Sequence, residues 1–381
     1  MNLLPALTAK VRAAAHPEAG GAACACGTPT PLADRSDATV VRHAGTVAKA
    51  HAPGTDPTEL SLRLATAARL PGILLAPLTP APTPLHDRLV TFWPYGTPVD
   101  PDDPDAVPWE AAATLLARLH SADPLLGGGP LHSVAPPPSE EVLHSVAPPG
   151  TAARLSSAQP IPSVAPPHGA EPLPSVALPL PSGAPPHSAA PLGPLPPMRG
   201  PAKAARAVAR LHAALDGSPH QAARFVLRAW AALPAWARAE APMPGPPVLC
   251  HGDLHLGQLV RYPAPDGPWL LIDVDDLGAG VPAWDLARPA AWYACGLLPP
   301  DEWSRFLTAY QRAGGPAVPP DGDPWPALDV PARALTVQTA ALAITKALAA
   351  DRPLDEVEQA LIDACARMTS APDQLACGFP D

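Results

Sequence analysis

The chain changes its apolar period twice along its length. In residues 38–52, ATVVRHAGTVAKAHA, two short β-branched runs flank Ala44-Gly45, the pattern of a hairpin. Residues 56–70, DPTELSLRLATAARL, open with Asp56-Pro57, a helix N-cap followed by proline in the first turn. ILLAPLTP (73–80) and DRLVTFWPYG (87–96) read as further strands, the second ending in a turn. From residue 108 the period becomes helical. PWEAAATLLARLH (108–120) sets Leu115, Leu116 and Leu119 on one face, and residues 200–215 and 221–241 continue as helices, the last broken or kinked at Pro234. Strand signals return at Val248-Leu249-Cys250, at Leu259-Val260 and, after an Asp266-Gly267 turn, at Trp269-Leu270-Leu271-Ile272. Strands, helix, strands and then a mostly helical remainder predict an α+β fold of two lobes.

One segment has neither period. Prolines number 60 in 381 residues, about three times the usual share of roughly 5%, and many fall in 124–199. There the Ser-Val-Ala core of a short unit recurs at 133, 145, 163 and 175, intervals of 12, 18 and 12 residues. A register in multiples of six is a tandem expansion, far shorter than the roughly 20–50 residues of a stacking repeat. It offers no apolar face, so it reads as a disordered, polyproline-leaning insertion joining two helices. The expected organisation is a β-rich N-terminal lobe over 1–92, a hinge and first helix over 93–123, the insertion over 124–199, and a helical catalytic lobe over 200–381. The insertion's histidines, His132, His144, His168 and His187, are too irregularly spaced for a metal site.

Charge and cysteine content exclude whole classes. The net charge is −10, with no cluster of Lys and Arg, which argues against binding a nucleic-acid backbone. No run of 18 apolar residues suggests a membrane span, and the N-terminus lacks the continuous apolar stretch of a secretory signal, so a cytoplasmic protein is expected. The six cysteines are scattered and form no disulfide framework. Cys24 and Cys26 form C-x-C with no second pair nearby, which reads as two reduced thiols rather than a zinc site.

The candidate chemistry lies in 247–290. His251-Gly252-Asp253 follows one apolar run, Gln258 stands five residues further on, and the hairpin returns Asp273 to its side. Phosphoryl transfer from a nucleotide needs such a set: one carboxylate to orient or deprotonate the acceptor hydroxyl, and a second carboxylate with a neutral oxygen donor to hold Mg2+ on the phosphates. Asp253 fits the first role, Asp273 with Gln258 the second. Asp275 and Asp276 crowd the same strand end. His251 and His255 read as structural loop residues, and Trp284, Trp292 and Tyr293 as packing groups.

The segment resembles the aminoglycoside-phosphotransferase-like branch of the protein-kinase-like fold. That family shows H-G-D-x-x-x-x-N, then I-D-x-D/E or I-D-x-G, then W/D-D-L-A; here the three read HGDLHLGQ, IDVDD and WDLA. The resemblance implies Asp253 as catalytic carboxylate, Asp273 and Gln258 as Mg2+ ligands, and Asp285 as a buried brace of the catalytic loop. Glutamine in place of asparagine makes the loop most similar to the maltokinase and glucosamine-kinase types. The resemblance further implies Lys49 as the nucleotide-phosphate lysine, Glu59 as its salt-bridge partner, and Trp93, Tyr95 and Gly96 at the hinge beside the adenine. No Gly-rich phosphate loop precedes Lys49. The implied function is an ATP- and Mg2+-dependent kinase acting on a hydroxyl of a small molecule, a sugar, amino sugar or aminoglycoside-like acceptor. Acidic residues near the acceptor side would suit a cationic amino sugar. The alternative is a kinase-fold protein without turnover, serving as a nucleotide-dependent binder or regulator. A third reading docks a protein partner on the Pro-rich insertion.

Overall fold

A computed structural model describes residues 3–17, 24–35, 37–100, 102–103, 107–122 and 195–369. The repeat and most of the expected insertion lie outside them, and with them the expectations of disorder and of a docked partner. Among the described residues no helix is long and apolar enough to cross a membrane.

The N-terminal lobe is a five-stranded antiparallel sheet ordered β1-β2-β3-β5-β4, from β1 (Thr30–Asp34), β2 (Thr39–His43), β3 (Thr46–Ala50), β4 (Thr83–Leu85) and β5 (Arg88–Pro94). The hairpin around Ala44-Gly45 forms with His43 opposite Thr46, and Ala44 takes the positive φ that the tight turn demands. Strand alternation gives the sheet two different faces. Val41, Ala48, Ala50, Val90 and Phe92 bury one face against Leu7 and Val11 of α1 (Leu3–Ala15). Val40, Val47 and Lys49 turn to the other face and a cleft. Helix α2 (Pro57–Arg69) starts where expected, with the Asp56 side chain accepting from the amides of Thr58 and Glu59.

Two elements differ from expectation. Residues 73–80 form no regular strand: Ile73 to Leu75 only bridge to Leu271, because Pro77 and Pro80 remove donors from the rest of the segment. Helix α1 carries an apolar stripe, Leu3, Leu4, Leu7 and Val11, in a stretch whose sequence pointed only to the lack of a secretion signal.

After the short β6 (Thr97–Pro98), the C-terminal lobe begins with α3 (Trp109–His120) and continues with α4 (Gly200–Leu215) and α5 (Gln221–Ala231). Helix α5 stops before Pro234, so of the break or kink expected there the chain takes the break. Residues 195–199 belong to this body, not to the insertion: Met198 is buried and its amide donates to the carbonyl of Ala279. Two small sheets carry the catalytic region. One pairs β7 (Val248–Cys250) with β10 (Gly278–Gly280); the other orders β6, β8 (Leu259–Arg261) and β9 (Trp269–Leu271). Helices α6 (Ala287–Ala294), α7 (Pro300–Arg312), α8 (Trp325–Ala349) and α9 (Glu356–Met368) complete the lobe, with α4 and α9 on α8 and α3 on α7. The architecture is α+β and two-lobed, a protein-kinase-like fold.

Candidate active site

Strand β7 delivers His251-Gly252-Asp253 into a tight turn that Asp285 holds from behind. One Asp285 oxygen accepts from the amide of His251 at 2.6 Å, the other from the amide of Gly252 at 2.7 Å. Buried His120 completes the brace: its Nε2 lies 3.0 Å from Asp285, and its Nδ1 lies 2.7 Å from the Tyr310 hydroxyl. That hydroxyl accepts from the amide of Ala317, which leaves its proton for His120 and the Nε2 proton for Asp285. Gly252 has φ +85, and a Cβ there would stand 2.4 Å from the carbonyl oxygen of Asp276, so the middle residue of the motif must be glycine. The His251 ring donates from Nε2 to the carbonyl of Ile272, tying the loop to the end of β9. The brace at Asp285 stands as expected; His120 and Tyr310 lie outside every motif.

The Asp253 carboxylate is gripped by two cations. Arg288 Nη2 of α6 lies 2.7 Å from one oxygen, and Lys203 Nζ of α4 lies 2.6 Å from the other. Lys203 also meets Asp276 at 2.8 Å. Burial pushes the Asp253 carboxyl up, but Lys203 and Arg288 outweigh it and hold it below its ordinary value. Asp276, with less compensation for its burial, is pushed up. Burial pushes His255 down to about 4, and its Nδ1 accepts from the amide of Gly257, so the ring is neutral.

Apart from Glu59, the remaining candidate groups meet at a cleft of about 470 Å³, a size suited to a small-molecule ligand. Lys49, Trp93, Tyr95, Gly96, Gln258 and Asp273 all line it, whereas Asp253 sits beside a smaller pocket with Lys203 and Arg288. Asp273 has φ +69, unusual for a residue with a side chain. One of its oxygens takes Lys49 Nζ at 2.7 Å, and the other lies 3.4 Å from the Gln258 amide. Lys49 also reaches Asp275 at 3.0 Å. Burial alone would lower the Lys49 ammonium, yet the two carboxylates raise it, so it stays charged. Asp275 is held far below its ordinary value: burial opposes this, but Lys49 and His51 win. His51 donates to Asp275 at 2.7 Å and faces the Thr91 hydroxyl at 2.8 Å.

Three expected features take a different form. Glu59 does not pair with Lys49; it accepts from Arg63 at 3.1 Å and from Arg199 at 2.9 Å. Lys49 is already held by two aspartates of the other lobe, and Arg63, whose Nε donates to the carbonyl of Leu277, draws Glu59 to itself one turn along the helix. At the hinge, the Trp93 indole donates to Thr91 and the Tyr95 amide donates to the carbonyl of Gly45. Gly96 is required there, since a Cβ would fall 2.6 Å from Val260. Of the acids expected to attract a cationic acceptor, Asp273, Asp275, Asp276, Asp301 and Glu302, four are occupied: Asp273 and Asp275 by Lys49, Asp276 by Lys203, and Glu302 by the Trp109 indole. Arg35, in the turn between β1 and β2, lines the cleft where a glycine-rich loop was missing.

Sequence comparison matches residues 33–330 to the Phosphotransferase enzyme family. Among curated proteins no sequence matches. Among solved structures, a choline/ethanolamine kinase family protein from Mesorhizobium loti is similar with a TM-score of 0.51 and 14% identity, over 98% of this chain and 96% of that one. A thermostable mutant of aminoglycoside phosphotransferase APH(4)-Ia, in ternary complex with AMP-PNP and hygromycin B, is similar with a TM-score of 0.51 and 12% identity, over 95% and 100%. An apo form of a thermostable mutant of the same phosphotransferase gives 0.50 and 11%, over 91% and 96%.

Proposed function

The chain belongs to the phosphotransferase enzyme family and is a small-molecule kinase, and from that premise we propose that it transfers the γ-phosphoryl group of ATP to a hydroxyl of a sugar-type acceptor. The observation that carries this reading is the pairing of an ionised Asp253, fixed by Lys203 and Arg288, with the neighbouring cleft of Lys49, Gln258 and Asp273.

The donor set fits Mg2+. Asp273 supplies carboxylate oxygen, and the Gln258 amide, rotated to present its oxygen, supplies a neutral one, both hard donors in the cleft. These two residues would hold the ion, which would offset phosphate charge. Lys49 adds a fixed positive charge beside Asp273, and Arg35 lies on the cleft wall toward the β1–β2 turn. The hinge residues Trp93, Tyr95 and Gly96 wall the cleft on the side proposed for adenine. Glu59 serves this site indirectly, by anchoring α2.

Asp253 accepts the proton-bearing hydroxyl of the acceptor. An ionised carboxylate has about four lone-pair directions, and Lys203 and Arg288 each take one. The remaining directions orient the hydroxyl, and a loose transition state asks for orientation more than for early deprotonation. Lys203, paired with both Asp253 and Asp276, fixes the orientation of the Asp253 carboxylate. Around Asp253 the charges of Asp253 and Asp276 are balanced by Lys203 and Arg288, which favours a neutral sugar over a polycation. An ADP-release screen over neutral sugars, amino sugars and aminoglycosides tests the reading, with turnover expected for a neutral sugar. ATP binding with no ADP release for any acceptor would favour the regulatory alternative instead.

A further inference from the structure

The C-x-C pair, which reads along the chain as two reduced thiols, does not stand alone in the fold. His16 follows the end of α1, Cys24 and Cys26 lie ahead of β1, and His43 ends β2. One ligand atom from each converges so that all four lie within 4.8 Å of one another. Nε2 of His16 and Nε2 of His43 are 3.3 Å apart, and the Cys24 sulfur is 3.1 Å from His43 Nε2. Around a tetrahedral zinc, with Zn–N about 2.0 Å and Zn–S about 2.3 Å, neighbouring ligand atoms stand roughly 3.3–3.8 Å apart. The observed cluster is already near that spacing. Hydrogen bonding explains it poorly. His43 is 1% exposed, two groups compete for its Nε2, and its Nδ1 is buried with no partner. The other convergence of such groups among the described residues, His120, Cys250 and Asp285, lies within the hydrogen-bonded brace behind the catalytic loop.

We propose that His16, Cys24, Cys26 and His43 form a structural zinc site that staples helix α1 and the segment before β1 to the nucleotide-lobe sheet. Two thiolates and two imidazoles are the soft and borderline donors that select zinc, and four protein ligands leave no open position for catalysis. Binding displaces the two thiol protons to solvent. The site lies on the sheet face away from the cleft: His43 shares its face with Val41, which packs on Leu7 and Val11, whereas Val40 lines the cleft. The core beneath α1 is thin, two of its seven buried members being Ala48 and Ala50. A small core of this kind is where a metal staple contributes most.

Metal analysis of the untagged full-length chain tests this, and about one zinc per chain is expected. Cys24→Ser/Cys26→Ser should lose at least nine-tenths of the zinc and lower Tm by roughly 5 °C or more, whereas Cys295→Ser should retain both. Should the double variant fail to fold, stripping the wild-type chain with a chelator and titrating back Zn2+ reads the same shift in Tm. Cobalt substitution should give a thiolate charge-transfer absorption. A chain carrying no stoichiometric zinc after purification and titration, a Cys24–Cys26 disulfide, or full zinc retention in the double variant would each overturn the proposal. None of these readouts depends on kinase turnover, so the zinc site and the phosphotransfer reading can fail separately.

Discussion

Asp253 takes its character from two residues that no motif contains. Lys203 and Arg288 keep its carboxyl ionised despite burial. Asp253→Asn retains the shape and loses the charge, so ADP release should fall on the order of 10²-fold or more, with ATP affinity, measured by calorimetry, changed little. Loss of both would make Asp253 structural. The pH dependence follows from the same contacts. A depressed carboxyl contributes stability above its ordinary value of 3.8 and loses it as pH falls through the lower folded value, so the acid limb from Asp253 should lie below 3.8. Lys203 is raised above 10.5, so its contribution disappears only in alkali beyond that value. His255 behaves differently. It is neutral in the fold down to about 4 and protonates near 6.5 when unfolded. The unfolded chain therefore binds the extra proton, and stability should fall as pH drops from 6.5 toward 4, by at most about 1.4 kcal/mol per pH unit. Urea titrations of wild type and His255→Asn should diverge in that window; parallel curves would reject it.

At the scale of elements, the convergence of the candidate loop was legible because its residues lie close in sequence. HGD, the glutamine five residues on and the aspartate at the hairpin's return need only one turn and two strands to meet. The partners that set their charge come from α4, α6 and β3; Arg288 directly follows WDLA, but no motif position marks it, and the spacing to Lys203 and Lys49 carries no trace of them. Glu59 shows the limit of analogy: being the acid on the right helix does not decide which cation it meets. Arg63 is fully buried with its Nε on the carbonyl of Leu277, so α2 is anchored to the C-terminal lobe through its own arginine. Arg63→Ala should destabilise the protein by about 3 kcal/mol in urea unfolding, since it leaves the buried Leu277 carbonyl unpaired and empties the space of a buried side chain, while Glu59 keeps Arg199. Arg63→Lys should recover little, because Arg63 reaches Leu277 through Nε and Glu59 through Nη1, two points of a fixed planar fork that an ammonium at a single position does not reproduce. A change below about 0.5 kcal/mol in Arg63→Ala would show that α2 is held by its apolar face alone.

The whole molecule poses the question of what the proline-rich repeat contributes. Helices α3 and α4, which it separates in sequence, both pack into the C-terminal lobe, and residues 195–199 already join that lobe through Met198. Residues 195–199 therefore belong with α4 and β10. A sequence with no apolar face predicts no share in a core, and a connection's cost grows only with the logarithm of its length. Excising 128–189 shortens a connection of roughly 80 residues about fivefold, which by loop-closure entropy should stabilise the fold by about 1 kcal/mol. The excised chain should therefore unfold cooperatively, at an unchanged or slightly higher urea midpoint, with ADP release within about twofold of the full chain. The active-site contacts explain why turnover should survive: Lys203 and Arg199 begin from a segment fixed by Pro197 and Met198 against β10, not by the repeat. A loss of cooperativity would assign the repeat a part in folding. A loss of turnover with cooperative unfolding intact would place it at the acceptor site instead.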